Sequence, residues 1–206
     1  MLPSIEMGRI LMMKYRFFIV ALLMFACCAR PKTGNPHVEI TTRFGDIEIV
    51  LYPKQAPVTV AAFLSYIDSG YYDKSSFYRV LVDEDQPSYA PKSEIIQGGI
   101  WKTNSQLLSK IPGIPHETTR QTKLSHTDGT ISLARLAPGS AHTEFFICVG
   151  DQPGYDYGGE NNPDGQGYAA FGRVIKGMDV VRRMYAAPER DGEFTPQIFI
   201  HRMRVL

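Results

Sequence analysis

The residue types that carry chemistry are thinly spread along this chain of 206 residues. His116, His126 and His142 stand at no metal-ligand spacing, so they read as surface or loop histidines. Ser65, Ser76 and Ser132 have no nearby partner of the triad type. Gly158-Gly159 and Gly165-Gln166-Gly167 lack the strand–turn–helix setting of a phosphate loop. Of the three cysteines, Cys27 and Cys28 adjoin near the N-terminus, and Cys148 reads as a small buried hydrophobe inside an apolar run. With no CxxC, no Cys/His cluster and no disulfide framework, redox and zinc chemistry have no pattern to start from. Arg79 by itself reads as a solvated surface charge, the usual state of arginine in a β-rich domain. Phe145 and Phe146 say more, because neighbours on a strand point to opposite faces and only one of them can enter a core.

Positioning these residues falls to a β-rich frame. From His37, Val38, Ile40, Thr42 and Phe44 alternate with other residues, Gly45-Asp46 turns the chain, and Ile47, Ile49 and Leu51 alternate beyond. Period-two alternation on both sides of a tight glycine turn predicts a β-hairpin. Pro57 to Ser69 carries Val60, Phe63, Leu64 and Ile67 at helical spacing, with Pro57 suited to the first turn and Gly70 to the C-terminal cap. Short apolar runs at 76–82, 94–100, 130–135, 144–149, 168–175 and 197–205 read as strands, and Met178 to Ala187 as a second short helix. Many strands with two helices predict an antiparallel barrel or sandwich. The stretch 150–167, with six glycines and two prolines, is too long for a hairpin turn. Composition suits one soluble domain: 44% of residues are apolar and 21% charged, and a net charge of +1 leaves no basic stripe for nucleic acid.

The first residues read as an address. Lys14-Tyr15-Arg16 precedes Phe17 to Ala26, a run of ten uncharged and mostly large apolar residues. A spanning helix needs about 20 such residues, whereas this length fits the apolar region of a secretory signal. The run ends at Ala26-Cys27, a small residue before a cysteine, as in the bacterial lipobox, although Phe25 stands where a small or β-branched residue is usual. Two readings stand: a leader with Cys27 as the lipidated residue, or an ordinary signal peptide with an incidental cysteine pair. The organisation expected is a leader at 1–28, a polar tether at 29–36 and one domain at 37–206. An acylated Cys27 implies a cell-envelope location, periplasmic or outer-membrane-associated, with the membrane engaged through the N-terminal lipid.

Five segments then occur in order: Phe77-Tyr78-Arg79-Val80, Ile96-Gln97-Gly98-Gly99, Gly129 to Arg135, Glu144-Phe145-Phe146-Ile147-Cys148 and Tyr168 to Val174. With the helix start Gly177-Met178-Asp179-Val180-Val181, they resemble the cyclophilin family of peptidyl-prolyl cis–trans isomerases, especially its bacterial members, from Val38 to Leu206. The resemblance implies a mainly β fold, a closed eight-stranded antiparallel barrel capped by two α-helices. It implies a groove on the outer face that binds proline-containing segments of folding proteins, a monomer, and no cofactor or metal. It makes Arg79 the catalytic arginine and Gln97 a groove glutamine that hydrogen-bonds the peptide and helps orient that arginine. Phe146 becomes the floor of the proline pocket, Ile95 and Tyr168 its wall, and Ala134 and Arg135 the backbone rail along the peptide.

That chemistry needs no nucleophile or proton shuttle. Rotation about an X–Pro amide is opposed by about 18–20 kcal/mol of resonance, and no bond breaks. A site need only bind the twisted amide better than either planar isomer. This chain departs from the family pattern in three places. Glu144, counted among the groove residues, stands where many members have glutamine, and a carboxylate there is expected to pair with Arg79, either orienting it or partly quenching its charge. An insertion at about 83–92 separates Arg79 from Gln97 and reads as an acidic loop beside the groove. The family's tryptophan or phenylalanine beside the pocket has no clear counterpart near Asn161 to Gln166, and Trp101 reads as structural, which predicts weak binding of the cyclic peptide that inhibits animal members. The alternative function is a membrane-tethered proline-peptide-binding or chaperone module with little catalysis.

Overall fold

The first hairpin realises its alternation except at Phe44, which lies in the turn. In the computed structural model, which describes residues 34–206, β1 (His37–Thr42) pairs antiparallel with β2 (Gly45–Leu51). Val38, Ile40, Ile47, Ile49 and Leu51 are all completely buried. The turn lies at Arg43-Phe44, two residues before the expected Gly45-Asp46. Its cause is Thr42, whose hydroxyl accepts from the Phe44 N–H (3.1 Å) and donates to the Gly45 carbonyl (3.0 Å). The stretch expected to be a leader, including Cys27, lies outside the described residues.

The remaining strands are β3 (Ser76–Leu81), β4 (Ile95–Gly99), β5 (Thr130–Leu133), β6 (Phe145–Cys148), β7 (Ala169–Lys176), β8 (Glu189–Arg190) and β9 (Glu193–Val205). They run in the order β1-β2-β7-β5-β6-β4-β3-β9, and β1 pairs again with β9, which closes an eight-stranded antiparallel ring. Two-residue β8 is hung outside the ring on the start of β9. Closure leaves the principal strands without a free hydrogen-bonding edge.

Two longer helices accompany the barrel. Helix α1 (Pro57–Asp68) buries Val60, Phe63 and Ile67. Its first free N–H groups, Val58 and Thr59, donate to the carboxylate of Glu117 at 3.1 and 2.8 Å, a distant residue acting as cap and as counter-charge to the helix dipole. Phe63 enters the core against the rings of Tyr72, Phe145 and Phe171, with centroids 4.9–5.9 Å away. Two single-turn helices, α2 (Ser105–Leu108) and α3 (Thr119–Thr122), were not legible as helices, since four residues carry no periodicity. Helix α4 (Met178–Tyr185) buries Val180, Val181 and Met184 and follows Gly177, whose φ of +87° favours glycine.

Apolar burial forms two separate clusters. The larger fills the barrel and includes Phe145 and Phe171. The smaller sits on the other face of the same strands and consists of Ile95, Phe146, Cys148 and Tyr155, edged by Leu81, Ala134 and Tyr168. Phe145 and Phe146 therefore part company as strand geometry demands. Cys148 is fully buried, and burial pushes its thiol far above the ordinary range, in keeping with a small core hydrophobe.

Candidate active site

Register assembles the site. Arg79 of β3 lies opposite Gln97 of β4, Gln97 lies opposite Phe146 of β6, and Phe146 lies opposite Ser132 of β5. Residues directly opposite across antiparallel strands share a face, so one transverse row places these four on the face of the sheet that looks away from the barrel core. Above the row is a groove of about 820 Å³, lined among others by Arg79, Gln97, Ile95, Phe146, Ala134 and Tyr168.

A β-bulge refines the row. Phe77 opposes Gly98 and Arg79 opposes Gln97, which leaves Tyr78 as an extra residue on β3. In a regular strand Tyr78 and Arg79 would point to opposite faces; with the bulge both reach Gln97. The Arg79 Nη1 donates to Gln97 Oε1 at 3.3 Å, and Gln97 Nε2 donates to the Tyr78 hydroxyl at 2.7 Å. Arg79 itself is exposed, as a group that meets a ligand must be.

Glu144 does not pair directly with Arg79, the contact on which the expectation for that position rested. Its Oε2 accepts from the Tyr78 hydroxyl at 2.7 Å, and its Oε1 accepts from the Ile100 N–H, the Trp101 N–H and the Thr143 hydroxyl at 2.9–3.1 Å. Burial pushes its carboxyl above the usual carboxylate range, and these donors pull the other way. The Tyr78 phenol is pushed far up, first by burial and then by the carboxylate beside it. The close approach needs Gly99, where a Cβ would collide with the Glu144 carboxylate.

The pocket floor is aromatic and supported from beneath. Phe146 packs edge-on to Tyr168 and tilted against Tyr155, with centroids 5.4 and 5.0 Å away. Behind it His126 stacks at 5.9 Å; it lies in a loop, as expected, but is almost wholly buried and not at the surface. Its Nδ1 donates to Asp156 Oδ1 at 2.7 Å, and its Nε2 lies within hydrogen-bond distance of the Ser132 hydroxyl at 3.0 Å. Ser132 thus has the His/Asp partners that its sequence neighbourhood concealed. Its complete burial makes the trio a support under Phe146 and not a nucleophile.

The walls come from loops. Arg135 lines the groove but spends its buried guanidinium on Asp164 at 2.6 and 2.9 Å and on the Gly167 carbonyl, while lying 5.2 Å over the Tyr168 ring. This leaves Ala134 at the groove, its N–H donating to the Glu144 carbonyl at 2.9 Å. Trp101, expected to be structural, is 49% exposed, lines the groove and meets Tyr78 edge-on at 5.5 Å. In the 161–166 stretch, Pro163 lines the groove. The 83–92 insertion does lie beside the groove, with Pro91 in its wall, but Lys92 turns back on Asp83 and so offsets part of the acidity. Asn161 ties this insertion to the 150–167 loop by donating to the Lys92 carbonyl at 3.1 Å.

The family model for cyclophilin type peptidyl-prolyl cis-trans isomerases matches residues 37–205. A peptidyl-prolyl cis-trans isomerase of Acinetobacter baylyi is 37% identical over 156 residues, covering 75% of this chain and 74% of the relative. Peptidyl-prolyl cis-trans isomerase B of Escherichia coli is 34% identical over 148 residues, covering 71% and 82%. A Cryptosporidium parvum cyclophilin solved in the presence of the dipeptide Ala-Pro superposes with a TM-score of 0.63 at 22% identity, covering 82% of this chain and 98% of its own. Barrel, groove and these matches agree: the chain belongs to the cyclophilin family of peptidyl-prolyl cis–trans isomerases.

Proposed function

We propose that this isomerase acts on X–Pro bonds of exported proteins, with Arg79 as the catalytic residue and an N-terminal lipid on Cys27 holding it at the cell envelope. The observation that carries the site assignment is the transverse row, in which an exposed Arg79, braced by Gln97, stands beside an aromatic pocket floored by Phe146. The pyrrolidine ring lies against Phe146, Ile95 and Tyr168, and Ala134 and Arg135 offer main chain to the peptide. As the amide twists out of plane, the proline nitrogen loses conjugation and regains a lone pair. A guanidinium suits that developing acceptor, since it stays charged and presents its donors in a fixed plane. Only the twisted state accepts this hydrogen bond, so the bond lowers the barrier instead of tightening ground-state binding.

The alternative of a binding module with little catalysis rests on Glu144 and on the missing aromatics of the family pattern. Glu144 directs its oxygens to Tyr78, Thr143 and two backbone N–H groups and not to Arg79, which removes the first motive. Arg79→Ala in the full chain should lower the rate of proline isomerisation in a short X–Pro peptide by about a hundredfold or more, the usual effect of deleting a preorganised donor. An unchanged rate in the folded variant would overturn the arginine mechanism.

Export and anchoring are supported by the sequence: a basic start, the apolar run Phe17 to Ala26, and Ala26-Cys27 at its end. Cys27→Ala should release the protein from the membrane fraction, because one remaining weak signal does not hold a domain there. A variant that stays fully membrane-bound would count against the lipid, as would an N-terminus without acyl mass.

A further inference from the structure

The hydrogen bonds behind Arg79 run in one direction, and Glu144 dictates which. An ionised carboxylate only accepts. All the groups bonded to the Glu144 side chain are donors, namely the Tyr78 and Thr143 hydroxyls and the Ile100 and Trp101 N–H groups. The Tyr78 proton is therefore committed to Glu144, and its oxygen is left to accept. The Gln97 amide must then present its NH2 to Tyr78, which turns its carbonyl oxygen toward the Arg79 guanidinium. With the amide reversed, NH2 would face the guanidinium and two oxygens would compete for one Tyr78 proton. An amide at position 144 could either donate or accept, and would leave the sense of the chain open.

We propose that Tyr78 and Glu144 are positioning residues, which fix the orientation of the Gln97 amide and through it the guanidinium of Arg79. This rests on Arg79 being the catalytic group. Two features of the backbone exist at the points the device needs. The bulge at Tyr78 lets it reach Gln97 from the same side as Arg79, and Gly99 clears the space that the Glu144 carboxylate fills. Because the chain acts on the geometry of a donor used in the twisted state, it governs kcat and leaves peptide binding alone.

The test is a double-mutant cycle on peptide isomerisation, using the full chain. Tyr78→Phe keeps the ring that packs on Trp101 and removes only the hydroxyl; it should lower kcat about tenfold with KM within about twofold, as expected for a lost hydrogen bond next to a charged group. In a Gln97→Ala background the same substitution should have no further effect, since the link through which it acts is gone. Additive losses, or a Tyr78→Phe variant with wild-type kcat, overturn the proposal. Glu144→Gln should also lower kcat, and should split or broaden the NMR signals of the Gln97 side-chain NH2 as the amide samples both orientations. That signal tests positioning independently of turnover. An inactive wild type, or an Arg79→Ala variant with full activity, defeats the catalytic assignment, whereas a single sharp Gln97 NH2 signal in Glu144→Gln defeats the positioning device.

Discussion

At the residue scale, the pair Arg135–Asp164 separates what a side chain and its backbone contribute. The resemblance cast Arg135 as part of a peptide rail, and only its backbone is free for that; the guanidinium is 1% exposed and spent on Asp164, Gly167 and the face of Tyr168. The Arg135 hydrogen bonds hold the Asp164 carboxyl down to about 2. A carboxylate with a depressed folded pKa contributes stability that is fully present above its ordinary value near 3.8 and is lost as the pH falls through about 2. Acid titration between these values should therefore destabilise the wild type more steeply than Asp164→Asn, which has given up the contribution at every pH. Melting curves measured from pH 5 to about 2 check this; parallel slopes for the two proteins would deny the pair any part in acid sensitivity. At neutral pH Asp164→Asn should also loosen the Tyr168 wall, visible as a raised KM for the peptide.

At the scale of elements, the parts set by local periodicity were readable and the parts set by pairing were not. The strands at 76–81, 95–99, 130–133 and 145–148, helix α1 and helix α4 all fall within a few residues of the runs that predicted them, because alternation and helical spacing are local properties. Opposite facing of Phe145 and Phe146 follows from strand geometry alone and needs no partner strand. The bulge at Tyr78 has no such signature: Phe77-Tyr78-Arg79-Val80 looks like an ordinary strand until β4 is laid against it. Glu144 was misread for the same reason, since its partners at positions 78, 100 and 101 come from β3 and the turn after β4. His126, Ser132 and Asp156 meet only when the 150–167 loop folds over β5, and Trp101 reaches the groove only because the chain turns sharply after Gly99. Residue types and strand faces were legible, whereas the contacts between strands and loops depend on register.

At the scale of the whole molecule, the site depends on a closure made far from it. The row Arg79–Gln97–Phe146–Ser132 spans four adjacent strands, and the ring is shut on the other side by β1 and β9, the first and last strands of the domain. Strand β9 serves both regions, pairing with β3 near its start and with β1 near its end. Ile200 sits between them: its N–H donates to the Ser75 carbonyl at 2.8 Å, it opposes Thr42 of β1, and its side chain is completely buried. Ile200→Ala should cost about 2–5 kcal/mol, with the higher values if the barrel cannot collapse around the cavity. For a domain of this size, each kcal/mol lowers Tm by roughly 2–4 °C, whereas the exposed neighbour His201 changed to Ala should leave Tm nearly unmoved. Since one cooperative unit carries both closure and groove, isomerase activity should be lost at the same lowered temperature as the barrel, with kcat unaltered well below it. Activity that outlasts the loss of tertiary structure on heating would mean that the β3–β4–β6–β5 row holds its geometry without the ring.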